Sequence, residues 1–425
     1  MVELTPGQRV AVIGAGISGI VAAHVLSRQH QVTLFEAGQN LGGHTNTRVI
    51  DSGPDAGTSV DTGFIVCNPR NYPNFYRFLS QLRVELQDSE MSFGFYCERS
   101  KRRYLGPSIW ELLRAPECLL DLGLLRLFLE QRRFNQRVLA DLRNGSLAEQ
   151  PLAQYLEQLQ VSPTFIDDYL TPLIAAIWSS PDLGAREFPA ATFAVFFRNH
   201  GMLELSTRPQ WQTVVGGSHA YLHAFSRSFK GGLRLSCPIQ RVVRSSQGVT
   251  LYTSQGEALP FDQVILATHA NEAFQLLAEP SVEEQQALQS WRYSSNHAVL
   301  HWDEAVLSGN RRLWASWNYR RRKSSAEAAP VSVTYYMNRL QNLKTQRHYF
   351  VTLNERSAIR EERIIYETTY THPVYTPQSV QAQQQLRELN GRQRTFYCGA
   401  YQGYGFHEDG VTSALDVARH FGATL

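Results

Sequence analysis

Apolar and polar positions fall into three patterns along the chain. The first is a pair of short apolar runs rich in β-branched residues, RVAVI at 9–13 and QVTLF at 31–35, separated by the helix-like SGIVAAHVLSRQ. Runs of this length fit strands buried on both faces, so the segment reads as strand, helix, parallel strand. The second is a mostly helical stretch from about 101 to 205. SIWELLRAPECLLDLGLLRLFLEQRRFNQRVLADL has apolar residues near helical spacing with Arg114, Asp121, Arg126 and Glu130 among them, and SPTFIDDYLTPLIAAIWSS turns strongly apolar. The third is strand-rich, from about 285 to 385: NHAVLHWDEAVL, LWASWNY, VSVTYYMN and HYFVTLNE predict an antiparallel sheet interrupted by the basic loop YRRRKSSAEAAP. Strand-rich and helix-entering pieces also occupy 211–229, 233–270 and 394–422, with Gly248 and Gly256 at turns. The fold class is α/β.

The first strand runs directly into a glycine motif. Gly14, Gly16 and Gly19 have the G-x-G-x-x-G spacing, enclosing Ile17 and Ser18. The first glycine permits a tight turn, the second lets a pyrophosphate approach the backbone, and the third lets the helix pack close to the sheet. The helix N-terminus then points its N–H groups at the phosphates. The second strand ends at Glu36, 20 residues past Gly16 and followed by Ala37. A carboxylate there accepts from ribose hydroxyls and repels a 2′-phosphate, which disfavours NADP. A second glycine pair, Gly42 and Gly43, follows with His44.

This extended arrangement resembles the dinucleotide fingerprint of the flavin-containing amine oxidase and phytoene desaturase superfamily. VDTGFIVCNPRNYPNF, LWASWNY, VTYYMNRLQ and CGAYQGYGFHEDG extend the match over almost the whole chain. Together they resemble an amine oxidase-like, NAD/FAD-binding subgroup, members of which occur beside or fused to cyclopropane-fatty-acyl-phospholipid synthase-type methyltransferases. The resemblance implies non-covalent FAD on a Rossmann-like domain assembled from residues 1–100, 206–284 and 386–425. A substrate domain with an antiparallel sheet and helices would take 101–205 and 285–385. It places Gly42 and Gly43 over the flavin diphosphate, with His44 where the family usually has arginine. It places Thr62, Gly63 and Phe64 at the isoalloxazine, Val242 beside the adenine, and Gly399 with Asp409, Gly410 and Val411 over the ribityl chain and flavin. Asp409 reads equally as a helix N-cap.

The resemblance also implies a lysine near the flavin at the strand after the returning segment. That region reads SSNHAVLHWDE and has none; Asn296 and His297 are nearest. His297 is the candidate acid/base group, although a packed strand histidine fits the same position. Tyr404, paired with Tyr401, is either part of an aromatic cage or a brace for the glycine loop. The expected activity is hydride transfer between a hydrophobic lipid, fatty-acyl or isoprenoid substrate and FAD. The alternatives are an amine oxidase, a flavin-dependent double-bond isomerase and a prenyl or lipid carrier of the same fold.

Composition narrows the partners. There are 41 Lys and Arg against 38 Asp and Glu, a balance that argues against nucleic acid. The five cysteines form no CxxC pair, which argues against a metal site and for reduced thiols in the cytoplasm. No leader or membrane span is expected. The leucine-rich helix ending in Arg132 and Arg133 suits either packing on its own domain or peripheral contact with membrane lipid. Nothing in the sequence sets the oligomeric state.

Overall fold

The computed structural model describes residues 5–106, 121–147, 150–178, 187–203, 209–307, 310–322 and 332–425. Five parallel strands form the sheet that organises the molecule. In spatial order they are Gly232–Arg234, Gln31–Phe35, Arg9–Ile13, Gln263–Leu266 and Thr395–Tyr397. Chain succession therefore runs outward from Arg9–Ile13 on one side, then restarts on its other side. Helices Ile17–Leu26 and His407–Arg419 pack together beside it, joining Ile17, Val21 and Val25 to Val411, Ala414 and Ala418 in one core. The three-stranded meander Ile239–Arg244, Val249–Thr253 and Ala258–Phe261 occupies the connection from Gly232–Arg234 to Gln263–Leu266.

A seven-stranded sheet forms the second layer. Its order is Ile364–Val374, Arg292–His301, Phe350–Leu353, Val333–Tyr336, Trp317–Arg321, Phe93–Cys97 and Arg103–Leu105. Every pairing is antiparallel except Trp317–Arg321 with Phe93–Cys97, which is parallel. The stretch 93–105 contributes its last two strands, so a division at residue 100 falls within a hairpin. Helices Leu122–Arg143, Thr171–Trp178 and Ala190–Asn199 cover this side.

The basic run read as the start of a loop is partly strand. Arg320 and Arg321 close Trp317–Arg321, and Arg320 and Arg322 pair with Glu98 and Glu355. The helical expectation for 107–120, 148–149, 179–186 and 204–205 and the loop expectation for 323–330 lie outside the described residues.

Candidate active site

Where chain succession reverses, neighbouring connections leave to opposite sides and a crevice opens at the carboxyl ends of the strands. Here it lies between Arg9–Ile13 and Gln263–Leu266. Gly14 turns there at φ +100°, and a β-carbon on it would sit 2.8 Å from the Ala267 carbonyl oxygen. A β-carbon on Gly19 would lie 1.9 Å from the Gly14 carbonyl oxygen, so only glycine lets the helix close on the turn. Gly16 faces open space, with nothing within 4 Å of where its β-carbon would be. The Glu36 carboxylate accepts the Ala15 N–H at 2.9 Å and the Gly38 N–H at 2.8 Å. Each oxygen keeps a lone pair for a further donor.

Gly14, Ala15, Gly16 and Glu36 line part of a cavity of 1660 Å³, larger than the roughly 300–1,000 Å³ of an ordinary small-ligand pocket. Its wall also includes Gly42–His44, Thr62–Phe64, Tyr370–Pro373 and Gly399–Tyr401. An aromatic chamber belongs to the same cavity. Trp178 and Phe196 have ring centroids 4.6 Å apart, and Phe196 stacks on Phe406 at 5.1 Å. Tyr169, Leu173, Ile177 and Met202 extend it. The Trp178 indole donates to the Tyr404 carbonyl at 3.0 Å, which fixes the chamber against the C-terminal glycine loop.

Three imidazoles gather between these parts. The His44 ring centroid is 5.2 Å from that of His372 and 6.0 Å from that of His269. His44 Nε2 donates to the Thr371 carbonyl at 3.1 Å, and His372 Nδ1 accepts from the Asn296 amide at 3.0 Å. Burial, reinforced by the other imidazoles, holds His44 down to about 4 and His372 to about 3, and burial holds His269 at about 4. A fourth, His407, stacks on Phe64 at 3.6 Å and is held at about 3. All four are neutral at pH 7.

Asp61 supports this wall from behind. It is fully buried and accepts the Ser218 N–H at 2.9 Å, the Ser218 hydroxyl at 3.0 Å, the Gln341 amide at 2.8 Å and the Thr47 hydroxyl. Burial outweighs these donors and pushes its carboxyl up to about 6.

Of the residues expected from sequence, Gly14, Gly16, Ile17, Ser18, Glu36, Ala37, Gly42, Gly43, His44, Thr62, Gly63, Phe64 and Gly399 line the cavity. Others lie elsewhere. Neither His297 nor its neighbour Asn296 is among the residues that line it, and the two side chains project to opposite faces of the strand. Asn296 reaches His372, whereas His297 lies 3.8 Å from Glu367. Val242 is buried within the meander, and Cys237, Ile239 and Gln240 reach the cavity instead. Asp409 accepts the Phe406 N–H at 2.9 Å as a helix cap. Gly410 makes room for the helix crossing, since a β-carbon there would meet Ile17 at 2.7 Å, and Val411 belongs to that core. Gly19 packs beneath the turn. Tyr404 presents its carbonyl to Trp178, and Tyr401 is the member of the tyrosine pair that lines the cavity. His269, His372 and Asp61 were not singled out from sequence, and His407 only as the first residue of the HEDG stretch expected over the ribityl chain and flavin. No spacing links histidines so far apart, and the only cue was a polar residue next to a strand end or a glycine loop.

Residues 17–348 match the family model described as flavin containing amine oxidoreductase. An L-amino-acid oxidase of Siganus canaliculatus is 23% identical over 349 residues, covering 79% of this chain and 63% of the relative. A 4,4'-diapophytoene desaturase of Staphylococcus aureus is 30% identical over 120 residues, 26% of this chain and 22% of that protein. The chain thus spans less than two thirds of the length of these curated relatives. Among solved structures, a CLA-producing fatty acid isomerase from P. acnes superposes with a TM-score of 0.71 at 15% identity, covering 99% of this chain and 100% of that one. A putrescine oxidase variant superposes with the same TM-score at 14% identity, with the same coverage. These likenesses establish a shared fold. Among the described residues, no helix is long and apolar enough to cross a membrane.

Proposed function

Because the chain belongs to the flavin-containing amine oxidoreductase family, whose cofactor is FAD, we propose that it oxidises a long apolar substrate, acyl or isoprenoid, held in the chamber around Trp178 and Phe196. The observation behind this reading is that one cavity contains both the dinucleotide turn and the aromatic chamber. The residues present fit FAD. Open space over Gly16 accommodates a diphosphate against the backbone, and Glu36 retains acceptor capacity for ribose hydroxyls. Thr62–Phe64 and Gly399 are assigned to the flavin end, and the five-stranded and seven-stranded halves to cofactor and substrate.

Bound FAD accepts a hydride from a substrate C–H bond. The chain's own contribution is placement and solvent exclusion. Trp178, Phe196, Leu173 and Ile177 desolvate an alkyl chain and fix its direction. The neutral imidazoles of His44, His269 and His372 line the cavity without adding positive charge at pH 7. Asn296, hydrogen-bonded to His372, orients that imidazole, and the acid/base role considered for His297 is not carried forward.

Amine or amino-acid oxidation is a second reading, favoured by the L-amino-acid oxidases among the relatives. Against it, no lysine occurs among the described residues lining the cavity. Anaerobic mixing separates the two. Bleaching of the flavin by acyl or isoprenoid compounds, with none by amines, supports the first reading; bleaching by amines alone overturns it.

A further inference from the structure

We propose that the outward face of helix Leu122–Arg143 docks the protein on an anionic lipid bilayer. The apolar-substrate reading supplies the purpose of such docking, while the surface itself is argued from the helix. Among the described residues, nine large apolar side chains are exposed, and three of them are Leu122, Leu125 and Leu129, exposed by 71%, 45% and 59%. At 3.6 residues per turn these three fall within about 60° of one another. They lie opposite the buried face of Leu124, Leu127, Phe134 and Val138.

The flanks of this stripe are cationic. Arg126 and Arg133 border it on one side and Arg132 on the other, all exposed and without an ion-pair partner among the described residues. The nearby acids are engaged. Glu130 accepts from Ser162, Asp121 caps the helix and Asp141 pairs with Arg137. Exposed leucines bordered by arginines form the pattern of a helix lying in a membrane interface. A second copy of this chain is the poorer occupant, because a two-fold contact would bring the same arginines together. A bilayer rich in phosphate headgroups complements them.

The inner side of the helix reaches the cavity wall. Phe128 contacts Tyr104 at 6.2 Å, and Gln131 donates to the Tyr169 hydroxyl at 2.6 Å. Tyr104 and Tyr169 both line the cavity. The docking face therefore lies about one helix diameter, roughly 10 Å, from the space assigned to the alkyl chain.

The test is flotation of the holoprotein with phosphatidylcholine vesicles, with and without phosphatidylglycerol, in the absence of substrate. The expected result is flotation with the anionic vesicles only, weakening with salt. The exposed triple variants L122S/L125S/L129S and R126Q/R132Q/R133Q should each lower partitioning, the second by about 100-fold at one cationic contact per arginine. Their flavin absorbance should stay at the wild-type level, which reports an intact fold. Wild type that fails to float, or leucine variants that float unchanged, would overturn the proposal. So would a change from dimer to monomer in light scattering without an effect on flotation, which identifies the face as a self-association surface. Failure of the substrate reading appears separately, as flavin that acyl and isoprenoid compounds do not bleach in vesicle-free solution.

Discussion

Gly63 lies directly against the backbone of His44: a β-carbon at residue 63 would sit 2.0 Å from the His44 carbonyl oxygen. The same carbonyl accepts the Phe64 N–H at 2.9 Å. The segment after the second glycine pair is thereby tied to the segment assigned to the flavin ring. Gly63→Ala must push these apart, at a cost of about 1–3 kcal/mol for an overpacked site. Reduced FAD content per protein and a lower Tm are the expected readouts; wild-type values for both would contradict this contact.

Glu36 serves the turn as well as the proposed ribose contact. Glu36→Gln keeps one acceptor oxygen and loses the charge, whereas Glu36→Ala leaves the Ala15 and Gly38 amides without their partner. Charged hydrogen bonds are worth roughly 1.5–3 kcal/mol, so FAD should bind about 10- to 100-fold more weakly in the alanine variant and less so in the glutamine variant. Titrating apoprotein with FAD by fluorescence quenching gives both constants.

The buried imidazoles make the protein sensitive to acid. His44 and His269 are held at about 4, and His372 and His407 at about 3, but each takes a proton near 6.5 once unfolded. Below pH 6.5 the unfolded chain therefore binds more protons, and stability present above that pH is lost as pH falls toward 4. Asp61 acts in the opposite sense. With its carboxyl raised to about 6, its protonation favours the folded state between the unfolded value and 6, offsetting part of the loss. The expected outcome is a Tm that falls from pH 7 to 4.5, with a shallower fall in His44→Asn.

Filling the chamber should separate substrate binding from cofactor binding. Ile177→Trp introduces bulk beside Trp178, away from the dinucleotide turn. FAD content should match wild type while KM for the longest acyl or isoprenoid substrates rises about tenfold or more, and short ones are spared. Equal effects on all chain lengths would remove the chamber from the account.

Cys398 bears on how the flavin is held. It is fully buried beside Gly399, and burial pushes its thiol up to about 12, so it offers no thiolate for attachment. Denaturation should release all flavin into the supernatant from both wild type and Cys398→Ala.

The nucleotide half was readable because its constraints are local. Gly14, Gly16, Gly19 and Glu36 lie within one strand–helix–strand unit; Gly14 and Gly19 answer steric demands set by the adjacent strand and by the turn itself, and Gly16 leaves open space above the backbone. The histidine cluster was hidden for the opposite reason. His44, His269 and His372 reach one another only after the chain has crossed between the two sheets. His297 illustrates the cost of a one-residue uncertainty in a strand, since the contact with the cavity-lining His372 belongs to Asn296. Gly410 and Asp409 sit in a loop-to-helix motif that the sequence could link equally to packing or to a ligand; their contacts are a helix crossing and a cap.

The central claim is that flavin and alkyl chain share one cavity. The most direct measurement is the difference absorption spectrum of the oxidised holoprotein during titration with a perfluorinated fatty acid, whose chain has no C–H bond to give up a hydride. The account predicts a saturable perturbation of the flavin bands in wild type that weakens in Ile177→Trp. A flavin spectrum unmoved by chain ligands, and perturbed by small amines instead, would contradict it.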